Sequence, residues 1–143
     1  MKTPTRLVAI GLVLCVARSL IGMEDQVSVE ARPPHGFVSF CVRTPAECAP
    51  DGRTDQPFLP TDAQMYEMVA VNIGANETIK PETDMEVYGL GEFWALPTDR
   101  GDCEDYAILK RHALIALGWP VSSVLITVVR DEQFEGHVVL TVR

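Results

Sequence analysis

Between Gly101 and Val142 the chain carries one strong helix pattern followed at once by two β-branched runs, and that order limits what it can fold into. Asp102 stands where an N-cap is wanted, Glu104 and Asp105 put negative charge in the first turn, and Gly118 then Pro120 stop the helix. Tyr106, Ala107, Ala113, Leu114 and Leu117 supply an apolar face, with Lys110, Arg111 and His112 toward the C-terminal half. Val124 to Val129 (VLITVV) reads as a buried strand, Arg130 to Gly136 as a polar turn, and His137 to Val142 (HVVLTV) as the antiparallel partner. A helix laid against such a hairpin makes an α+β fold.

Upstream, residues 37 to 48 read as a short apolar helix around Phe37, Phe40 and Cys41, broken near Pro45 and Pro50. Residues 49 to 61 are a proline-rich loop. Thr61 or Asp62 then caps a second helix, whose Met65, Met68, Val69 and Ile73 fall at helical spacing and are expected in the core. Residues 74 to 101 hold Gly74, Pro81, Gly89, Gly91, Pro97 and Gly101 and read as a long irregular stretch, of the kind that borders functional sites. Asn76-Glu77-Thr78 matches a glycosylation sequon, but no other feature of the chain supports that use.

The first residues stand apart. Lys2 and Arg6 precede an apolar run, Leu7 to Ala17, which Arg18 ends. At about 1.5 Å per residue this run crosses only about half of a ~30 Å hydrocarbon core. It has the form of a secretory signal, assigned to residues 1–22 with an indistinct cleavage point, followed by a polar leader over 23–36 and one domain over 37–143. The expected location is periplasmic or secreted, and the processed protein is not integral to a membrane. With 143 residues there is chain for one core. Acidic residues outnumber Lys and Arg by 20 to 12, which argues against a nucleic-acid partner. Loss of Lys2, Arg6 and Arg18 makes the balance more acidic still.

Export also leaves three cysteines: Cys41, Cys48 and Cys103. Cys41 and Cys48 close easily on each other across FCVRTPAEC in an oxidising compartment, so that Cys103 is left over. Cys103 sits in the first turn of the helix, where the dipole and free N–H groups favour thiolate, although Glu104 and Asp105 oppose this. On this balance its thiol is expected to ionise below the free-cysteine range. A nucleophilic thiol needs a base. His112 is nine residues along the same helix and on its opposite face, and His35 lies in the leader, which leaves His137 at the start of a strand. The same turn offers hard oxygen donors in Asp102, Glu104 and Asp105, a set suited to calcium, although ordinary capping would use them equally well.

GDCEDYAILKRHALIALGWP followed by GHVVLTVR resembles the bacterial transglutaminase-like cysteine proteinases, relatives of the LapG-type periplasmic protease. The resemblance extends to FCVRTPAEC, Val71-Asn72 and Asp84 to Pro97 (DMEVYGLGEFWALP), over about residues 36 to 143. It implies a papain-like core of the transglutaminase type, with a nucleophile helix packed on a small antiparallel sheet. It also implies Cys103 as nucleophile and His137 as general base, acting on a protein or peptide substrate. In LapG-type members acidic residues flanking the nucleophile hold calcium; here these are Asp102 and Glu104. No cofactor is required for the chemistry itself. The family's third residue, an Asp that orients the imidazole, lies on the strand after the His strand. This chain ends six residues beyond His137, and none of Asp131, Asp99 or Asp84 matches that position. The expectation is therefore a core lacking its C-terminal strands: a peptide hydrolase, an acyl transferase to an amine, or an inactive calcium-responsive binding domain or truncated remnant. Oligomeric state is not legible.

Overall fold

The computed structural model describes residues 32–53 and 58–143; the signal reading and most of the leader lie outside these residues. In chain order the elements are α1 (His35–Arg43), α2 (Pro45–Cys48), α3 (Asp62–Thr78), β1 (Lys80–Pro81), α4 (Asp84–Tyr88), β2 (Arg100–Gly101), α5 (Cys103–Ala116), β3 (Val124–Arg130) and β4 (Gly136–Val142). Among the described residues, helices and two small sheets make up an α+β fold, the class the sequence leads one to expect.

β3 and β4 form the expected antiparallel hairpin, with Val124 opposite Val142 and Arg130 opposite Gly136. α5 packs across it. On one side of this contact Ala107, Ile108 and Val138 meet Phe40 and Trp94; on the other Leu114, Trp119 and Val124 gather Phe58, Met68 and Leu140. The buried face of α5 keeps Ala107 and Leu114 of the expected apolar face but is shared with charged residues. Glu104, Asp105 and Arg111 are buried with Ala107, Ile108 and Leu114, whereas Leu117 is exposed. Arg111 can be buried because Nε donates to the Val124 carbonyl (3.2 Å) and Nη1 to the Glu47 carbonyl (2.6 Å). β3 is also less buried than its apolar run implies, with Val128 and Val129 exposed toward its C-terminal end, one on each face.

α3 begins as the sequence indicates. The Gln64 N–H donates to Thr61 Oγ1 (3.3 Å) and the Thr61 N–H to Gln64 Oε1 (3.0 Å), a reciprocal cap. The helix runs on through Gly74 to Thr78, and of its expected core residues only Met68 is turned inward. Met68, Val71 and Ala75 pack inward, while Met65, Val69 and Ile73 are about half exposed. Two overlapping stripes offered themselves, and the position of Trp119 and Leu140 selects the second.

The stretch from 74 to 101 is more ordered than its glycines and prolines suggest. Lys80–Pro81 pairs in parallel with Arg100–Gly101, and α4 fills the interval. Thr83 starts α4: its N–H and Oγ1 donate to Glu86 Oε2 (3.0 and 2.9 Å). Cys41 and Cys48 form a disulfide that ties α1 to α2. None of the described helices is long and apolar enough to cross a membrane.

Candidate active site

Cys103 is the first residue of α5, so the pairing of β2 with β1 fixes its position two residues beyond the strand. Gly101 is what allows the turn to close, because a Cβ there would strike the Asp105 carboxylate. Asp105 is fully buried and anchors the loop before the helix: Oδ1 accepts from the Ala95 N–H (2.8 Å), and Oδ2 has no partner. Burial raises the Asp105 carboxyl to about 7, the nearby Asp102 and Asp84 charges adding to the effect.

The Cys103 sulfur is half-buried and, among the described residues, unpaired with another cysteine. It donates to Glu104 Oε2 (3.1 Å), while the backbone N–H of Val138 on β4 acts in favour of the thiolate. Burial pushes the thiol up to about 11; the Glu104 hydrogen bond and the Glu104 and Asp102 charges push the same way. The expectation of a lowered thiol is therefore corrected for this arrangement. Desolvation and two adjacent carboxylates outweigh the helix end and the Val138 N–H.

His137, at the start of β4, lines the same groove of about 650 Å³ as Asp102 and Cys103. Its imidazole is exposed, and no hydrogen bond joins it to the sulfur, whose proton is directed at Glu104. His112 is elsewhere, as its helical position requires, with Nδ1 2.9 Å from Glu47 Oε1.

Asp102 and Glu104 come together with a residue that sequence reasoning passed over. One carboxylate oxygen from each of Asp84, Asp102 and Glu104 lies within 4.8 Å of the others. Asp102 is the N-cap residue by position but makes no side-chain cap; its Oδ2 accepts from the Asp84 N–H (3.3 Å) instead. Asp84 is buried at the first position of α4, with Oδ2 accepting from the Phe93 N–H and Oδ1 unpartnered. Asp102 Oδ1 is likewise buried and unpartnered. Desolvation raises the Asp84 carboxyl, and Glu104 is raised to about 7, again by burial first. The Thr83-x-x-Glu86 spacing was the available signal: a capping box there places Asp84 at a helix start, turned inward.

A free cysteine at a helix start, a histidine near the start of the neighbouring strand and this order along the chain agree with one family. Residues 27–143 match the family model of the bacterial transglutaminase-like cysteine proteinases, BTLCP. The chain belongs to that family. Among curated proteins none matches it. As in the sequence reading, the BTLCP match covers both FCVRTPAEC and the helix–hairpin unit, so the disulfide, the nucleophile helix and the His strand all fall inside one family domain.

Proposed function

We propose that this chain is an exported cysteine peptidase. Cys103 gives its proton to His137 and attacks a peptide carbonyl, the C–N bond breaks, and the amine leaves with that proton from the His137 imidazolium. Water, deprotonated by His137, then hydrolyses the Cys103 thioester and restores the thiol. The backbone N–H of Cys103 at the start of α5 supplies an oxyanion donor. The observation that carries this reading is the meeting of Cys103 and His137 in one groove of a cysteine proteinase domain. Export rests on the sequence of residues 1–22.

Asp84, Asp102 and Glu104 suit a hard divalent cation, because two buried carboxylate oxygens among them lack any partner and all the donors are oxygens. Calcium is the ion such a set favours, held by Asp102 and Glu104 with Asp84 as the third carboxylate. When bound it would supply positive charge that offsets the carboxylate field around Cys103. The raised thiol favours one rival reading, a calcium-responsive binding domain without turnover.

The test is hydrolysis of a pool of protein-derived peptides, read by mass spectrometry, in calcium and in chelator. The expected result is cleavage in calcium that Cys103→Ala abolishes and His137→Ala reduces by at least about a hundredfold, the scale of a lost general base. An added primary amine reads whether the acyl group passes to water or to the amine. No cleavage in calcium, with wild type and Cys103→Ala alike, would install the binding-domain reading.

A further inference from the structure

One wall of the groove that holds Cys103 belongs to α3, and its chemistry changes along the helix. Met65, Val69, Asn72 and Asn76 stand three or four residues apart on one flank of α3. Met65 and Val69 border a second cavity, of about 500 Å³, together with Met68 and Leu114. Asn72 borders both cavities, and Asn76 only the one that holds Cys103 and His137. The flank is apolar away from the nucleophile and amide beside it. Residues upstream of β4 hold this end of α3 in place. Tyr106, three residues after Cys103, donates its hydroxyl to the Ile79 carbonyl just past the end of α3. Further along, Met68 and Val71 pack against Leu114 and Trp119.

Gln64, Glu67 and Thr78 of the same helix are each engaged: Gln64 in the cap with Thr61, Glu67 with Trp119 Nε1 (3.0 Å), Thr78 with the Gly74 carbonyl (2.7 Å). Asn72 and Asn76 are exposed, and among the described residues neither amide is bonded to another protein group. Asparagine is a poor helix former beside alanine, and here two occupy consecutive turns. Each amide offers one carbonyl acceptor and two N–H donors, the complement of the C=O and N–H of a peptide chain. Four residues along a helix span about 6 Å. Residues i and i+2 of an extended chain are about 6.6 Å apart and turn their N–H and C=O groups to the same side. The charges nearby are of both signs, and two are already used: Glu82 pairs with Arg100 (2.9 Å) and Glu86 accepts from Thr83 (2.9 Å). Beside Lys110 they give the groove no single sign to select, whereas the amides match a main chain of any sequence.

We propose that Asn72 and Asn76 position the substrate by its main chain, each amide bonding the N–H and C=O of one residue, the two residues being i and i+2 of an extended segment beside Cys103. The substrate class is then an unfolded or loop segment of a protein, read at these two positions without regard to its side chains. Taking the bound chain for a substrate rests on the peptidase reading; the capture of a main chain by the two amides is measured apart from it.

The experiment anchors a chain at Cys103 and needs no turnover. Tetra-alanine probes are joined by a disulfide to the Cys103 sulfur of the full chain, one series through a C-terminal cysteamine and one through an N-terminal mercaptopropionyl group, so that both sides of the sulfur are sampled. The fraction retained against 2-mercaptoethanol is read by mass spectrometry, with peptide mapping to place the probe on Cys103. In one series, retention should exceed that of the bare thiol by about tenfold. Methylating the alanine amides one at a time should cost about fivefold at two positions, two residues apart, the scale of one hydrogen bond. Asn72→Ala and Asn76→Ala should each lower retention and each remove the sensitivity at one of those positions, so that the two changes together cost no more than either alone. Alanine favours the helix, so both variants should unfold in urea no earlier than wild type. Equal retention of tetra-alanine and bare probes in both series, or methylation losses that persist in both variants, would overturn the inference. The expected pattern without cleavage of the peptide pool would keep the amides and sink the peptidase reading. Cleavage without the pattern would sink the role of the amides alone.

Discussion

At Gly101 a single hydrogen atom decides whether the site can form. The residue is buried in β2, and any Cβ would land on the Asp105 carboxylate, which is itself fixed by the Ala95 N–H at 2.8 Å. Neither partner can yield easily: one is a paired strand, the other a helix side chain with no exposed surface. Gly101→Ala is therefore expected to destabilise the fold by about 1–3 kcal/mol, the range for overpacking a filled interior. Urea unfolding checks it, and an unchanged midpoint would mean that Asp105 moves freely. Asp105 shows why residue-level reading of GDCEDYA stopped short. Its sequence position says dipole compensation, and a solvated carboxylate would do that equally well. Its burial follows from the loop at Ala95 folding over it, a contact made across ten residues that no local pattern announces.

Helices and strands were legible where one periodicity dominates and one stop signal closes it. α5 has both, with Gly118 taking a φ of +91° just past its end, where glycine alone is unstrained. The hairpin was legible because two β-branched runs flank a polar turn. α3 was legible at its start and misread along its face, since Met65, Val69 and Ile73 are spaced as well as Met68, Val71 and Ala75. The 74–101 stretch was misread because two-residue strands leave no period, and glycines and prolines mark turns whether or not the turns are ordered. Arg111 shows the same limit within α5. Read as part of a polar end, it joins three elements, donating to Val124 of β3 and Glu47 of α2 from a buried position. Arg111→Met keeps the volume and removes both donors, leaving two carbonyls short of a partner. The expected loss is about 3–6 kcal/mol, at the level of two hydrogen bonds to a charged group. Urea unfolding reads it. A loss below about 0.5 kcal/mol, the range of ordinary surface changes, would show that water replaces the guanidinium.

On the scale of the whole molecule, a chain of formal charge −8 has drawn three carboxylates into one cluster and buried a fourth beside them. Asp84 is raised, and Glu104 and Asp105 are raised to about 7 from ordinary values of 4.5 and 3.8, in each case by desolvation first. Such groups hold their protons in the folded chain at pH values where the unfolded chain has lost them. Their contribution to stability is full below the ordinary carboxylate range and is lost as pH rises through about 7. In chelator, the melting temperature should therefore fall between pH 5 and pH 8. General repulsion among surface acids acts in the same direction, but salt screens it over about 10 Å at 0.1 M, whereas a buried cluster is screened far less. Raising sodium chloride from 0.1 to 0.5 M separates the two, and most of the slope should survive. Calcium reverses the balance, because a cation binds the ionised carboxylates: the stabilisation it gives should be larger at pH 8 than at pH 5. Asp84→Asn keeps an oxygen for the Phe93 N–H while removing one charge. It should flatten the slope in chelator and weaken calcium binding, read by calorimetry, by at least about tenfold. A melting temperature that is flat or rising between pH 5 and 8 in chelator would mean that the cluster is hydrated and paired in solution, and the calcium assignment would lose its physical basis.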